Sequence, residues 1–247
     1  MLRKILIIFF ACQFSVFCYA NESLLVLEKN DLLSPFQKPN QKYFLIGAGL
    51  AISLLAFEDQ ISDPAQSEVA NDKPLGKFSV VGDYYGRLIP NLLYILGMGV
   101  DGIATKNEQS RKRAELMIRA TSSAMLTTFA LKEVVREPRP NNPEDHGSFP
   151  SGHTAAAFSF ASVIGAEHGP VLGAIAYGLA SLTALSRMND NKHELHDVVA
   201  GAIIGTSYGL SIANRMKNSN QNEKQAIAIV TPSDDLNGML LSFYSEF

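Results

Sequence analysis

The chain has 247 residues, 47% of them hydrophobic, a net charge of -3 and a mean hydropathy of +0.06. That length suits a single domain, and the hydropathy lies between that of a soluble helical protein and that of a polytopic membrane protein. The small net charge, with no basic stripe interleaved with aromatics, excludes nucleic acid as a partner.

Residues 1–20 read as an export signal. Arg3 and Lys4 precede a mostly apolar run from Ile5 to Phe17, and Cys18-Tyr19-Ala20 closes it as a small-residue cleavage site. The run is shorter than the ~20 apolar residues of a membrane span, which favours cleavage after Ala20 over an uncleaved anchor. Both cysteines, Cys12 and Cys18, lie in this segment, so a chain starting at Asn21 would have neither a disulfide nor a thiolate metal site. An exported protein of the periplasm or the cell-envelope membrane is the expectation, with its active site facing the periplasm.

Residues 21–41 are polar and broken by Pro35 and Pro39, as in a peripheral arm. The charge-free run Tyr43–Phe57 predicts a helix, whereas residues 58–87, acidic and punctuated by Pro and Gly, predict a loop with short helical pieces. Leu88–Val100 is apolar but carries Pro90. A long helix is predicted over about 111–136, stopped by Pro138 and Pro140, with a loop over 141–150.

Helices are predicted over about 153–167, 170–187 and 195–216, all dense in small residues. Gly201, Gly205 and Gly209 fall four apart, a spacing that serves tight packing inside a bundle as well as a lipid-facing dimer contact. The apolar runs satisfy both a buried core helix and a short membrane segment, so membrane association is expected without a choice between the two. Last, 226–230 and 239–247, joined by the turn 232–238, resemble a β-hairpin. The expected fold is all-α: a bundle of about six core helices in one domain, 21–247. Its catalytic core would be about 110–216, with a small hairpin within 225–247.

Three stretches supply groups suited to a phosphate. They are Lys132-Glu-Val-Val-Arg-Glu-Pro-Arg139-Pro140, Pro150-Ser151-Gly152-His153, and Ser186-Arg187 followed by His193 and Asp197. Breaking a phosphate ester without a metal requires dense positive charge around the non-bridging oxygens. Lys132, Arg139 and Arg187 offer that charge, Arg as a planar fork. Ser151 and Gly152, at a helix start, add a hydroxyl and backbone N–H donors. His193 and Asp197 share a helical face at four residues' spacing, so the carboxylate can orient the imidazole as nucleophile. His153 is then the natural general acid.

Complete and in this order, these residues resemble the three-part signature of the type 2 phosphatidic acid phosphatase family. Its members include lipid phosphate phosphatases, bacterial non-specific acid phosphatases and, more distantly, vanadium haloperoxidases. The resemblance covers about 110–216. It implies a helical bundle and hydrolysis with neither metal nor cofactor. It also implies a phosphohistidine on His193, leaving-group protonation by His153, orientation by Asp197, and phosphate binding by Lys132, Arg139, Ser151, Gly152 and Arg187. The implied substrate is a lipid phosphate or diphosphate of the envelope, with soluble phosphomonoesters as the alternative.

One departure is Glu194-Leu195-His196 after the nucleophile, where the family often has an aromatic or small residue. The added charge is expected to alter pH dependence or leaving-group preference. His193, His196 and Asp197 are rich in metal ligands, but the flanking cations oppose a metal. His196 reads as a helix-surface residue or one supporting the site from behind, and His146 as a solvated loop histidine. His168 reads as structural, and Arg136 and Glu137 as surface residues.

Overall fold

The computed structural model describes residues 30–222, 227–232 and 239–244, with side chains described through residue 218. The expected export signal with its two cysteines, most of the expected hairpin turn and the last three residues lie outside them. Within the described residues the chain is a helical bundle, as expected, and strands Ile227–Pro232 and Met239–Tyr244 pair antiparallel.

After a short 3-10 turn, Ser34–Phe36, the helices are α1 (Gln41–Ala56), α2 (Asp63–Asp72), α3 (Ser79–Gly86) and α4 (Ile89–Ala104). They are followed by α5 (Glu108–Val135), α6 (Gly152–His168), α7 (Pro170–Asn189) and α8 (Leu195–Asn222). Most of 58–87 is helical, in short pieces as the sequence suggested, but with less loop between them than expected. The breakers explain this, because they sit at helix ends. Pro64 falls in the first turn of α2, where its missing N–H costs nothing, and the left-handed Lys73 with Pro74 closes the helix.

The core forms where α5, α6 and α8 meet. Met117, Ala120 and Ala124 of α5 pack with Val163 of α6 and with Ile204, Tyr208 and Ile212 of α8. The glycine series decides how close α8 comes. A Cβ at Gly201, Gly205 or Gly209 would lie 2.5 Å from the Ser151 carbonyl oxygen, 2.3 Å from that of Ala155 or 2.4 Å from Ser162 Cβ. The glycines therefore seat α8 on the backbone of α6, the packing alternative rather than the lipid-facing one.

The described part of the peripheral arm, residues 30–41, is bound to this core. Asp31, buried, pairs with Arg119 at 2.8 Å and with Arg215 at 2.7 Å, while Ser34 Oγ lies 2.8 Å from Ser211 Oγ. Two helical stretches, Pro170–Asn189 and Leu195–Asn218, are long and apolar enough to cross a membrane. A third would be added if α1 and the segment 58–72, bent by 84°, count as one broken span. The two differ in kind. In α8, 67% of the apolar window is buried, which the core explains; in α7 only 39% is, leaving Val171, Leu172 and Ile175 exposed.

Candidate active site

All three motifs converge on one cavity of about 370 Å³. Lys132, Arg139, Gly152, His153 and His193 line it, each from a motif. Lys132 comes from the last turn of α5, where its Nζ donates to the carbonyls of Gly147 (2.5 Å) and Ser148 (2.9 Å). This clamps the loop between α5 and α6. Burial, reinforced by the charge of Arg139, lowers the Lys132 ammonium to about 8.

His193 sits in the turn before α8 and is 2% exposed. Its Nδ1 lies 3.2 Å from Asp197 Oδ2, and its Nε2 lies 3.2 Å from Arg139 Nη1. A guanidinium only donates, so Nε2 must carry the lone pair and Nδ1 the proton. The four-residue spacing read from the sequence is thus realised as an oriented, neutral imidazole. Burial, with help from Lys132 and Arg139 and against Asp197, depresses the His193 imidazole to about 4. Asp197 Oδ2 also accepts from Ser148 Oγ (2.5 Å) and from the Glu194 backbone N–H (3.0 Å), so three donors fix the carboxylate.

Ser151 takes a different position from Gly152 and His153. It caps α6, its Oγ accepting from the Thr154 hydroxyl at 3.0 Å, and its N–H donates to the Asp197 carbonyl at 3.0 Å. The buried side chain thus caps α6, while the backbone N–H ties the start of α6 to the start of α8. Arg187, 5% exposed, reaches the site through Asp83, a cavity-lining residue.

Asp83 was not recognised from the sequence. It lies on α3, 3.3 Å from His153 Nε2, and pairs with both Arg87 and Arg187. The hydrogen bond from His153, then the charges of Arg187, His153 and Arg87, hold its carboxyl well below the usual range against the effect of burial. His153 itself is lowered by burial, with Asp83 opposing and Arg187 reinforcing the shift.

Of the two readings of His196, the structure agrees with support from behind the site and not with a helix surface: it is fully buried, its Nδ1 2.9 Å from Ser62 Oγ and its Nε2 3.0 Å from Glu137 Oε1. Glu137 is accordingly a partly buried partner of His196 rather than a surface residue. The ligand-rich character noted around His193 is centred on His196, which carboxylates approach as two pairs, Glu58 with Glu194 and Glu137 with Asp197. Burial, opposed by the charge on His196, raises the Glu194 carboxyl to about 7. His146 is exposed, as expected. His168 sits 2.7 Å from Tyr94 Oη, a structural contact remote from the cavity.

Comparison with known proteins agrees with this geometry. The family model described as the PAP2 superfamily matches residues 116–221, the stretch that carries every motif residue. This segment is similar to the PAP2 superfamily. A 65-residue stretch is 42% identical to the lipid A 1-phosphatase of Porphyromonas gingivalis, covering 25% of this chain but only 15% of that protein. Among solved structures, the first transmembrane PAP2 type phosphatidylglycerolphosphate phosphatase from Bacillus subtilis has the same fold. It aligns with a TM-score of 0.54 at 20% identity, over 72% of this chain and 95% of its own. Aquifex aeolicus LpxE aligns over 63% of this chain and 95% of its own, at 27% identity and a TM-score of 0.49. Asp83 lies before the matched PAP2 segment, so the cavity includes a part of the chain outside the family match.

Proposed function

We propose that this chain is a metal-independent phosphatase acting through a phosphohistidine, with a lipid phosphate as substrate. The observation carrying the proposal is the His193 imidazole, whose Nδ1–H donates to Asp197 and whose Nε2 lone pair lies beside Arg139, in a cavity that also holds His153. The His193 Nε2 lone pair attacks phosphorus as the P–O bond to the leaving group breaks, and the His153 N–H proton passes to the departing oxygen. Water then gives a proton to His153 and attacks phosphorus; the P–N bond breaks and inorganic phosphate leaves. The sum is ester plus water to alcohol plus phosphate, with both imidazoles restored. Lys132 and Arg139 offset charge on the non-bridging oxygens, while Asp197 balances the positive charge that His193 acquires.

The lipid assignment draws on the apolar wall. Leu88, Met125 and Phe129 line the same cavity as the cations, which suits a phosphate carried on a hydrocarbon body. Exposed aliphatic side chains on α1, α4 and α7 suit residence at a membrane, and the Porphyromonas gingivalis relative makes lipid A a first substrate to try. The test is phosphate release in EDTA by the purified full chain, from phosphatidic acid, lipid A and soluble phosphomonoesters. A hundredfold preference for a lipid, about 2.7 kcal/mol, is expected. Equal turnover of soluble esters would give a non-specific acid phosphatase instead. Retained turnover in a folded His193→Ala variant would refute the nucleophile assignment.

A further inference from the structure

The two oxygens of the Asp197 carboxylate are treated differently. Oδ2 takes the donors of Ser148, His193 and the Glu194 backbone, whereas Oδ1 is buried without a hydrogen bond. A buried carboxylate oxygen without a donor is destabilising. A second carboxylate adds to the strain, because acceptor atoms of Asp197, Glu137 and His196 all lie within 4.8 Å of one another. The ring between the two acids is His196, with its Nε2 3.7 Å from Asp197 Oδ1.

His196 is fully buried against the Phe149 ring, 6.0 Å between centroids. Glu137 Oε1 lies 3.0 Å from Nε2, and since a carboxylate only accepts, Nε2 carries a proton. At the other edge of the ring, Nδ1 lies 2.9 Å from Ser62 Oγ, 3.6 Å from Glu194 Oε2 and 4.0 Å from Glu58 Oε1. The His196 backbone N–H also donates to Ser62 Oγ, at 3.4 Å, so this hydroxyl is placed as an acceptor for the ring. Carboxylates from the turn Glu58–Ser62, the end of α5 and the start of α8 thus surround one imidazole, with Asp63 beside Glu194. Burial raises Glu194 to about 7; below that, Glu58, Glu137 and Asp197 still favour the second proton on His196.

We infer that His196 is a positioning residue for the nucleophile: as an imidazolium it holds Asp197 from the Oδ1 side, keeps Oδ2 turned to His193, and keeps the His193 ring neutral. This inference rests on the role given above to His193. His196 is not among the residues lining the cavity, so it acts through Asp197. Asp197 has to hold the Nδ1 proton of His193 without drawing a second proton onto that ring, because an imidazolium has no lone pair with which to attack phosphorus. A cation behind Asp197 makes the carboxylate a weaker base toward His193, in the same sense as Lys132 and Arg139 on the cavity side. The stretch Glu194-Leu195-His196, where the sequence departs from the family pattern, thereby contains the residue that tunes the nucleophile.

The experiment follows the histidine rings by nitrogen NMR of the full chain in detergent micelles, with kcat/KM against pH on phosphatidic acid measured alongside. In the wild type at neutral pH, His196 should carry both ring protons and His193 one, on Nδ1. His196→Gln keeps a donor for Glu137 but removes the charge. It should raise the His193 midpoint, and with it the acid limb of kcat/KM, by about half a pH unit or more, with the alkaline limb in place. Glu137→Gln removes a negative charge beside the same oxygen and should move the midpoint the other way. Opposite shifts do not arise from a loosened fold, which thermal unfolding checks separately. A neutral His196 in the wild type, an unmoved His193 midpoint in His196→Gln, or shifts of the same sign in both variants would overturn the inference. A wild type without turnover refutes the phosphatase reading, while the NMR midpoints still decide the role of His196.

Discussion

Replacing Asp83 by Asn removes one charge from the cavity wall while keeping its shape. The carboxylate lies 3.3 Å from His153 Nε2, and both side chains are largely buried, at 14% and 21% exposure. With an effective dielectric between ~40 and water's ~80, Coulomb attraction at that distance is roughly 1.3–2.5 kcal/mol. The protonated form of His153 would lose that support, lowering its population about ten- to seventyfold wherever the imidazole is mostly neutral. Sharing of Asp83 with Arg87 and Arg187 favours the lower end. The assay is kcat/KM across pH on one lipid phosphate, with thermal unfolding to verify the fold. On the alkaline side of the optimum Asp83→Asn should cost about tenfold, and on the acid side the cost should shrink to about threefold or less. A loss of equal size at every pH would refute the reasoning, since it would mean that Asp83 acts by placing Arg187 and not by keeping a proton on His153.

The wild-type profile itself should be bell-shaped with an acidic optimum. In the proposed reaction His193 works neutral, so activity rises as pH climbs through about 4; His153 works protonated there and is lowered by burial, so activity falls before an ordinary histidine would lose its proton. A plateau extending past neutral pH in kcat/KM would contradict this. Gly205→Ala would drive a methyl to 2.3 Å from the Ala155 carbonyl oxygen and 2.7 Å from the Ser159 nitrogen. Backbone cannot yield as a side chain does, so a loss of about 1–3 kcal/mol or more is expected, read as a lower denaturation midpoint. Asp31→Asn leaves Arg119 and Arg215 without their shared carboxylate and should cost about 3 kcal/mol, again by denaturation, with phosphatase activity at 25 °C retained by the folded fraction.

The helices from α5 onward were legible because their signals are local. Asn107 caps α5 at its own second and third residues, Pro138 follows its end, and the spacing of the glycines on α8 records its contact with α6. In residues 58–87 the short helical pieces were legible but their bounds were not, since Pro64 and Pro74 look alike in sequence while one starts α2 and the other follows its end. The buried position of His196 was hidden for another reason. Its partners Ser62 and Glu137 come from two distant segments, and nothing in the local pattern distinguishes a polar residue that meets them from one that meets water.

The same division runs through the site. His193 and Asp197 meet because one helical turn separates them, and Ser151 caps α6 because it stands one residue before its start. These contacts follow from spacing. Asp83 meets His153 and Arg187 only through the packing of α3 against α6 and α7. That packing left one trace in the sequence, Gly82-Asp83-Tyr84-Tyr85-Gly86. A Cβ at Gly82 would lie 2.6 Å from Ser186 Oγ, and one at Gly86 2.7 Å from His153 Cβ. Two glycines four apart on a short helix marked a face pressed against neighbours, and an acid adjoining that face cannot remain buried without a cation. The motifs already named two unpaired candidates for it, Arg187 and the general acid. The spacing of Gly82 and Gly86 marks a packed face, but which helices it meets is decided by the packing of α3 against α6 and α7.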